Sequence, residues 1–116
     1  MTVAECYEAF GGDYEGVLSR LLKDERIAKY LKMFAGGNDL ELLETALGEE
    51  KYEDAFRNVH NIKGVSANLG LTPLHAASDV LCEALRHGKP DYDVTPMLED
   101  VKDAYDRILP MIALLG

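Results

Sequence analysis

The sequence lacks the features that mark disulfide-rich, metal-binding and membrane proteins. Its two cysteines, Cys6 and Cys82, lie far apart in no metal-ligand spacing, which predicts two reduced thiols. The longest apolar segment, 108–115, is too short to span a bilayer. Residues 1–10 contain no basic stretch followed by an apolar one, so no signal peptide is expected. We therefore expect no membrane partner and a cytoplasmic location.

Positive charge and nucleotide-binding motifs are also scarce. Twelve Lys and Arg stand against 21 Asp and Glu, which gives a formal net charge of −9. This charge repels a phosphate backbone, so nucleic-acid binding is not expected. The sequence has no Gly-x-x-x-x-Gly-Lys-Ser/Thr loop, and we expect no ATP site on this chain. Its 116 residues are enough for one hydrophobic core, which predicts a single domain over 1–116.

Apolar residues recur at helical spacing almost throughout, and strand-like alternation is absent. The pattern predicts an all-α protein, an antiparallel four-helix bundle with additional short N-terminal helices. Asn38 is predicted to cap one helix, with Glu41 as its capping-box partner. Thr72 and Thr95, each followed by proline, are predicted to cap two later helices. Pro110 predicts a kink or an end of the last helix nearby.

The segment from about 50 to 69 predicts the helix of greatest interest. One arc of its helical wheel carries the predicted core face, made of Ala55, Val59, Ile62, Ser66 and Leu69. His60 lies outside that arc. Its wheel neighbours are Phe56, Lys63, Gly64 and Ala67, a boundary surface with one cation and two very small residues. The imidazole should therefore be accessible to a protein partner.

The chemistry of these side chains suits phosphoryl transfer. An imidazole with a pKa of about 6.5 offers a nitrogen lone pair near pH 7. Lys63, one turn away, can stabilise the charge of a phosphorylated ring by a charge-assisted hydrogen bond. A glycine within a helix costs on the order of 1 kcal/mol relative to alanine, so Gly64 indicates that a partner must come close.

At these positions the chain resembles the histidine-containing phosphotransfer (HPt) domain. That family has the signature His-x-x-Lys-Gly, followed by small residues and an Asn-Leu-Gly ending. Here the signature comprises His60, Lys63, Gly64, Ser66-Ala67 and Asn68-Leu69-Gly70. Family members often have Thr-Leu where this chain has Asn61-Ile62. The similarity continues through 74–88 and extends upstream to about residue 12, so it covers most of the chain.

The resemblance implies a bundle that accepts phosphate from the aspartate of one receiver domain and passes it to that of another. By this analogy His60 is phosphorylated, Lys63 stabilises the phosphate and Gly64 gives clearance to the partner. The implied partners are receiver domains of hybrid histidine kinases and response regulators. The resemblance also implies Mg²⁺ in the receiver's acidic pocket, and we expect no cofactor on this chain. Because no strong apolar patch is evident, a monomer is expected.

The sequence also allows two other functions. The alternative to a phosphate carrier is a non-catalytic helical adaptor that binds receivers, and the presence of His60, Lys63 and Gly64 together counts against it. An enzyme with His60 as general acid or base ranks last, because the sequence shows no convergent nucleophile or oxyanion donor. Four other residues are less informative as site candidates. Structural roles are expected for His75 and His87. Arg57 is expected to be a solvated charge, and Phe56 fits the core equally well.

Overall fold

The computed structural model describes all 116 residues and contains seven α-helices and no strand. These are α1 (Val3–Phe10), α2 (Tyr14–Leu21), α3 (Asp24–Ala35), α4 (Asp39–Gly48), α5 (Tyr52–Asn68), α6 (Thr72–Leu85) and α7 (Thr95–Ala113). The all-α prediction is confirmed. No helix is both long and apolar enough to cross a membrane.

The bundle is built from α3 to α7. Helices α3 and α4 are separated by only three residues and follow one another along α7. Phe34 of α3 stacks on Tyr105 of α7 at 5.3 Å between ring centroids, and Glu44 of α4 lies 3.8 Å from Lys102 of α7. Their order shows that the α3–α4 pair runs antiparallel to α7. Since α4 packs on α5, α5 on α6 and α6 on α7, the predicted antiparallel four-helix bundle is confirmed.

One hydrophobic cluster extends from Val3 of α1 to Ile112 of α7. The predicted core face of α5 is correct, because all five of its residues are buried. The polar member, Ser66, donates its hydroxyl hydrogen to the Lys63 carbonyl at 3.0 Å, which satisfies it within its own helix. With this face against the core, the opposite face of α5 is left to solvent.

Helix α5 ends in a Schellman motif that requires glycine. Gly70 has φ of +63° and donates its N–H to the Ala67 carbonyl, while Leu71 donates to the Ser66 carbonyl at 2.9 Å. A Cβ on Gly70 would also lie 2.7 Å from the backbone oxygen of Asp13. Positive φ and close backbone approach therefore both select glycine here, and the predicted termination of the helix at Gly70 is confirmed.

The two N-terminal helices hold the same end of α5. The buried Tyr7 hydroxyl of α1 donates to the Leu69 carbonyl at 2.6 Å. Arg20 of α2 donates through Nη2 to the carbonyls of Asn68, at 2.9 Å, and Ala67, at 3.2 Å. A guanidinium at a helix C-terminus also interacts favourably with the helix dipole. The Asn68 and Leu69 carbonyls, which accept no backbone hydrogen bond, thus receive their donors from α2 and α1.

The predicted capping box at the start of α4 is wrong. Asn38 occupies the N-cap position, but its side chain makes no capping hydrogen bond. Its φ of −122° and ψ of 21° lie outside the extended region from which a cap side chain reaches the first-turn N–H groups. Glu41 therefore has no reciprocal partner there, and α4 begins without a side-chain cap.

The predicted caps of α6 and α7 are shifted by one residue. Thr72 and Thr95 are the first helical residues, and the N-cap positions belong to Leu71 and Val94. At α7 the carboxylate of Asp93 accepts hydrogen bonds from both the N–H and the hydroxyl of Thr95, so aspartate provides the polar contact that was expected of threonine.

Helix α7 continues through Pro110 and ends three residues later, at Ala113. Proline removes one backbone donor from the ladder. Ile108 and Ile112, on either side of Pro110, are both buried in the core cluster. Their burial favours continuation of the helix across the missing hydrogen bond.

Candidate functional site around His60

His60 lies near the middle of α5 with its side chain exposed. Its ring packs at a tilt against the half-buried Phe56, with 5.8 Å between centroids. Neither ring nitrogen makes a hydrogen bond to another protein group. The imidazole is therefore supported by one apolar contact while its nitrogens remain open to solvent, as the helical wheel predicts.

Gly64 leaves open space beside His60. A Cβ built on it would meet no atom within 4 Å, so no contact inside the protein requires glycine at this position. Four residues along a helix bring Gly64 to about 40° from His60, one turn further on. Because glycine weakens a helix and no internal packing accounts for it, the clearance is available to an external partner.

An open apolar groove of about 500 Å³ lies on the other side of Gly64. Helices α2, α3 and α5 and the start of α4 line it, and its apolar residues are Leu21, Tyr30, Met33, Phe34, Val65 and Leu69. Met33 is 61% exposed and Tyr30 is 42% exposed. The helical wheel puts Gly64 between His60 and the groove residue Asn68, so the imidazole and the groove belong to one continuous surface.

Lys63 is paired with an acidic residue of α6. Its Nζ lies 2.8 Å from Oδ1 of Asp79, and both side chains are partly exposed. The hydrogen bond to Asp79 raises the pKa of Lys63, and the same bond lowers the pKa of Asp79. Both groups are charged at neutral pH. In this structure the ammonium group is thus directed toward α6, and its contact with a phosphate on His60 stays a prediction.

A second cation, Arg86, lies at the C-cap of α6. The Arg86 guanidinium lies over the Phe56 ring, 5.7 Å from its centroid, in cation–π geometry. Its Nε is 3.2 Å from Oε2 of Glu83, and this pairing lowers the pKa of the Glu83 carboxyl. Phe56 therefore contacts both His60 and Arg86, and α6 supplies a carboxylate to each of the two cations.

Asp79, Glu83 and Arg86 were not predicted from the sequence to be part of this site. A signal exists, because His75, Asp79, Glu83 and Arg86 form a polar stripe at spacings of three and four beside the buried stripe of α6. Spacing alone does not say which residues of α5 such a stripe meets. That depends on how the two helices are aligned in the bundle.

The remaining candidates lie outside the His60 surface or are already paired. Arg57 forms ion pairs with Glu53, at 3.2 Å, and Asp54, both on its own helix. His75 is half-buried near the start of α6, and His87 is exposed just beyond its end. No three or more His, Cys, Asp or Glu side chains are grouped so that they could hold a metal ion.

Comparison with known proteins gives one match. A family model described as the Hpt domain matches residues 35–109, which is 75 of the 116 residues and includes His60, Lys63 and Gly64. Curated proteins and solved structures give no significant match. The matched span contains α4, α5, α6 and most of α7. The chain belongs to the Hpt domain family, whose members carry phosphoryl groups in two-component phosphorelays and interact with receiver domains.

Proposed function

We propose that His60 accepts a phosphoryl group from the aspartate of one receiver domain and passes it to the aspartate of another. The observation that carries this proposal is an exposed imidazole with free nitrogens beside the open surface at Gly64. The unprotonated nitrogen attacks the phosphorus of an aspartyl phosphate, so a P–N bond forms while the P–O bond to the carboxylate breaks. The ring then loses its N–H proton to water, and the reverse sequence delivers the group to the second aspartate.

Lys63 and the apolar groove are given supporting roles. Lys63 neutralises part of the charge of the phosphoryl group, since it lies one helical turn from His60. The groove binds the receiver domain, because Gly64 lies between His60 and the groove residue Asn68 and carries no side chain that would keep a partner from contacting both. Exposed Met33 and Tyr30 are its most accessible apolar contacts.

The partners in this proposal are receiver domains of hybrid histidine kinases and response regulators in the cytoplasm. Mg²⁺ acts in the receiver's acidic pocket, and the chain works as a monomer without a cofactor of its own. Chelation should then stop transfer to and from a receiver, while the isolated phosphorylated chain keeps its phosphate. Sedimentation at micromolar concentration should give the mass of a single chain.

The central experiment mixes the chain with a panel of phosphorylated receiver domains and looks for acid-labile phosphate on it. Wild type should be labelled by at least one receiver, and His60→Ala by none. His87→Ala is the matched control, because His87 is also exposed but lies beyond α6, and it should be labelled normally. Labelling of His60→Ala would contradict the assignment. A receiver that binds the chain without labelling it would favour the adaptor function.

The groove is tested separately by a charged substitution. Met33→Asp should weaken receiver binding by more than fivefold, as expected for loss of a well-packed apolar contact at an interface. Val80→Asp is the control, because Val80 is 52% exposed on the side of α6 that faces α7. Equal affinity of the two variants, measured by calorimetry, would place the docking surface elsewhere.

A further inference from the structure

Lys63, one turn after His60 on α5, is already engaged in an ion pair. Lys63 forms its ion pair with Asp79 at 2.8 Å, and it has no other carboxylate within 4 Å. Asp79 likewise pairs with no other cation. The bond therefore joins one ammonium to one carboxylate across the α5–α6 interface, on the side of α5 where His60 lies.

Phosphorylation would change the balance of charge around this pair. A phosphoryl group adds about −1.5 to −2 charges and three strong acceptor oxygens within one turn of Lys63. A single ammonium then faces two anions, the phosphate and the Asp79 carboxylate. Each hydrogen bond that Lys63 gives to Asp79 is unavailable to the phosphate, so the carboxylate and the phosphate compete for one ammonium group.

The other carboxylate of α6 is less well placed to compete. Glu83 is bonded to Arg86, and the Arg86 guanidinium rests on the Phe56 ring. Phe56 in turn packs against His60, so Glu83 is connected to the imidazole through Arg86 and Phe56 and makes no ion pair with Lys63. Asp79 is thus distinguished from Glu83 by direct contact with the lysine.

We propose that Asp79 is a positioning residue that competes with the phosphorylated imidazole for Lys63, and so favours onward transfer over retention of the phosphate. This inference rests on the proposed function of His60. When the chain is unphosphorylated, the pair holds Lys63 against α6. When phosphate arrives, Lys63 exchanges one anion for the other, and the freed Asp79 makes the reverse exchange favourable. Asp79 thereby makes the phosphorylated form of the chain less stable relative to the phosphorylated receiver.

The test measures the equilibrium of phosphate between the chain and one receiver. Asp79→Asn keeps the shape of the side chain, removes its charge, and should shift that equilibrium toward the phosphorylated chain by about twofold to fivefold, the range expected for one exposed ion pair. Asp79→Glu should restore the wild-type value. Glu99→Gln, which removes a carboxylate that pairs with Lys102 on α7, is the matched control and should leave the equilibrium unchanged.

A double-variant cycle separates competition for Lys63 from a general effect of charge. In the Lys63→Ala background, Asp79→Asn should leave the phosphate equilibrium unchanged, because the ammonium group for which the two anions compete is absent. A shift that persists there would overturn the proposal and would indicate direct repulsion between Asp79 and the phosphate. Circular dichroism of each variant checks that the bundle is folded.

Direct phosphorylation of His60 by phosphoramidate separates failure of the Asp79 proposal from failure of the proposed function. Phosphoramidate transfers its phosphoryl group to imidazole nitrogen and releases ammonia, so it phosphorylates an accessible histidine without a receiver. If no receiver exchanges phosphate with wild type although phosphoramidate labels His60, both proposals fail. If wild type exchanges normally and Asp79→Asn has the same equilibrium, only the role of Asp79 is refuted.

Discussion

Replacing Gly64 by alanine should make the protein more stable but should lower its rate of phosphotransfer. The added Cβ meets nothing within 4 Å, so the substitution gains helix propensity without a steric cost. That gain is about 0.8–1.0 kcal/mol. An unfolding entropy of about 2.1 cal/mol/K per residue gives about 0.24 kcal/mol/K for this chain, so Tm should rise by about 4 °C.

The opposite effect is expected on phosphotransfer. A methyl group forced into a closely packed contact typically costs about 1–3 kcal/mol, which corresponds to a rate at least fivefold lower. Rapid mixing with a phosphorylated receiver measures that rate, and urea unfolding of the same samples measures stability. Gly48→Ala is the matched control. Gly48 lies at the end of α4, and a Cβ there also meets nothing within 4 Å. The Gly48→Ala variant should therefore be stabilised by up to about 1 kcal/mol and should transfer phosphate at the wild-type rate.

Two results would refute this reasoning. If Gly64→Ala is stabilised but transfers phosphate at the wild-type rate, no partner surface comes close to Gly64. If Gly64→Ala is destabilised, the space around the residue is not open within the folded protein. A fall in rate shared by Gly48→Ala would indicate that rigidity, and not the clearance at position 64, controls transfer.

Three further predictions concern stability. Gly70→Ala should lose more than about 2 kcal/mol in urea unfolding, because its positive φ and the Asp13 oxygen 2.7 Å away both exclude a Cβ; a neutral effect would contradict the Schellman assignment. Tyr7→Phe should lose about 1–2 kcal/mol and 4–8 °C in Tm, since it leaves a buried carbonyl without its donor; unchanged melting would show that water replaces the hydroxyl. The ion pair of Asp79, whose pKa is lowered, and Lys63, whose pKa is raised, should stabilise the fold at neutral pH. Its contribution should disappear as acid protonates Asp79 and as alkali deprotonates Lys63, so the Tm difference between wild type and Asp79→Asn should vanish at both extremes; a constant difference would exclude this origin.

Much of α5 could be predicted from the sequence because its determinants are local. The buried arc of the helix, the exposure of His60 and the termination at Gly70 follow from helical spacing and from the backbone freedom of glycine. The failure of the Asn38 cap shows the limit of such rules. Residue types fit the capping pattern, but the backbone that enters α4 does not have the dihedral angles that the pattern needs.

The electrostatic surroundings of His60 could not be predicted, because they depend on the alignment of two helices. Lys63 and Asp79 are sixteen residues apart, and their contact exists only because α6 folds back along α5 after Gly70. The stacking of Arg86 on Phe56 has the same origin. Sequence periodicity indicates which side of each helix is polar, whereas the pairing of individual charges follows from tertiary packing.

The contacts of Tyr7 and Arg20 with the end of α5 have a consequence for the choice of expression fragment. The segment that the family model matches starts at residue 35, after α1, α2 and almost all of α3. A fragment cut to 35–109 would leave the Asn68 and Leu69 carbonyls at the end of α5 without their donors. It would also remove Phe10, Ile27 and Leu31 from the hydrophobic cluster. We expect such a fragment to fray from Gly70 back toward His60, so the smallest useful unit for studying this carrier extends upstream of Tyr7.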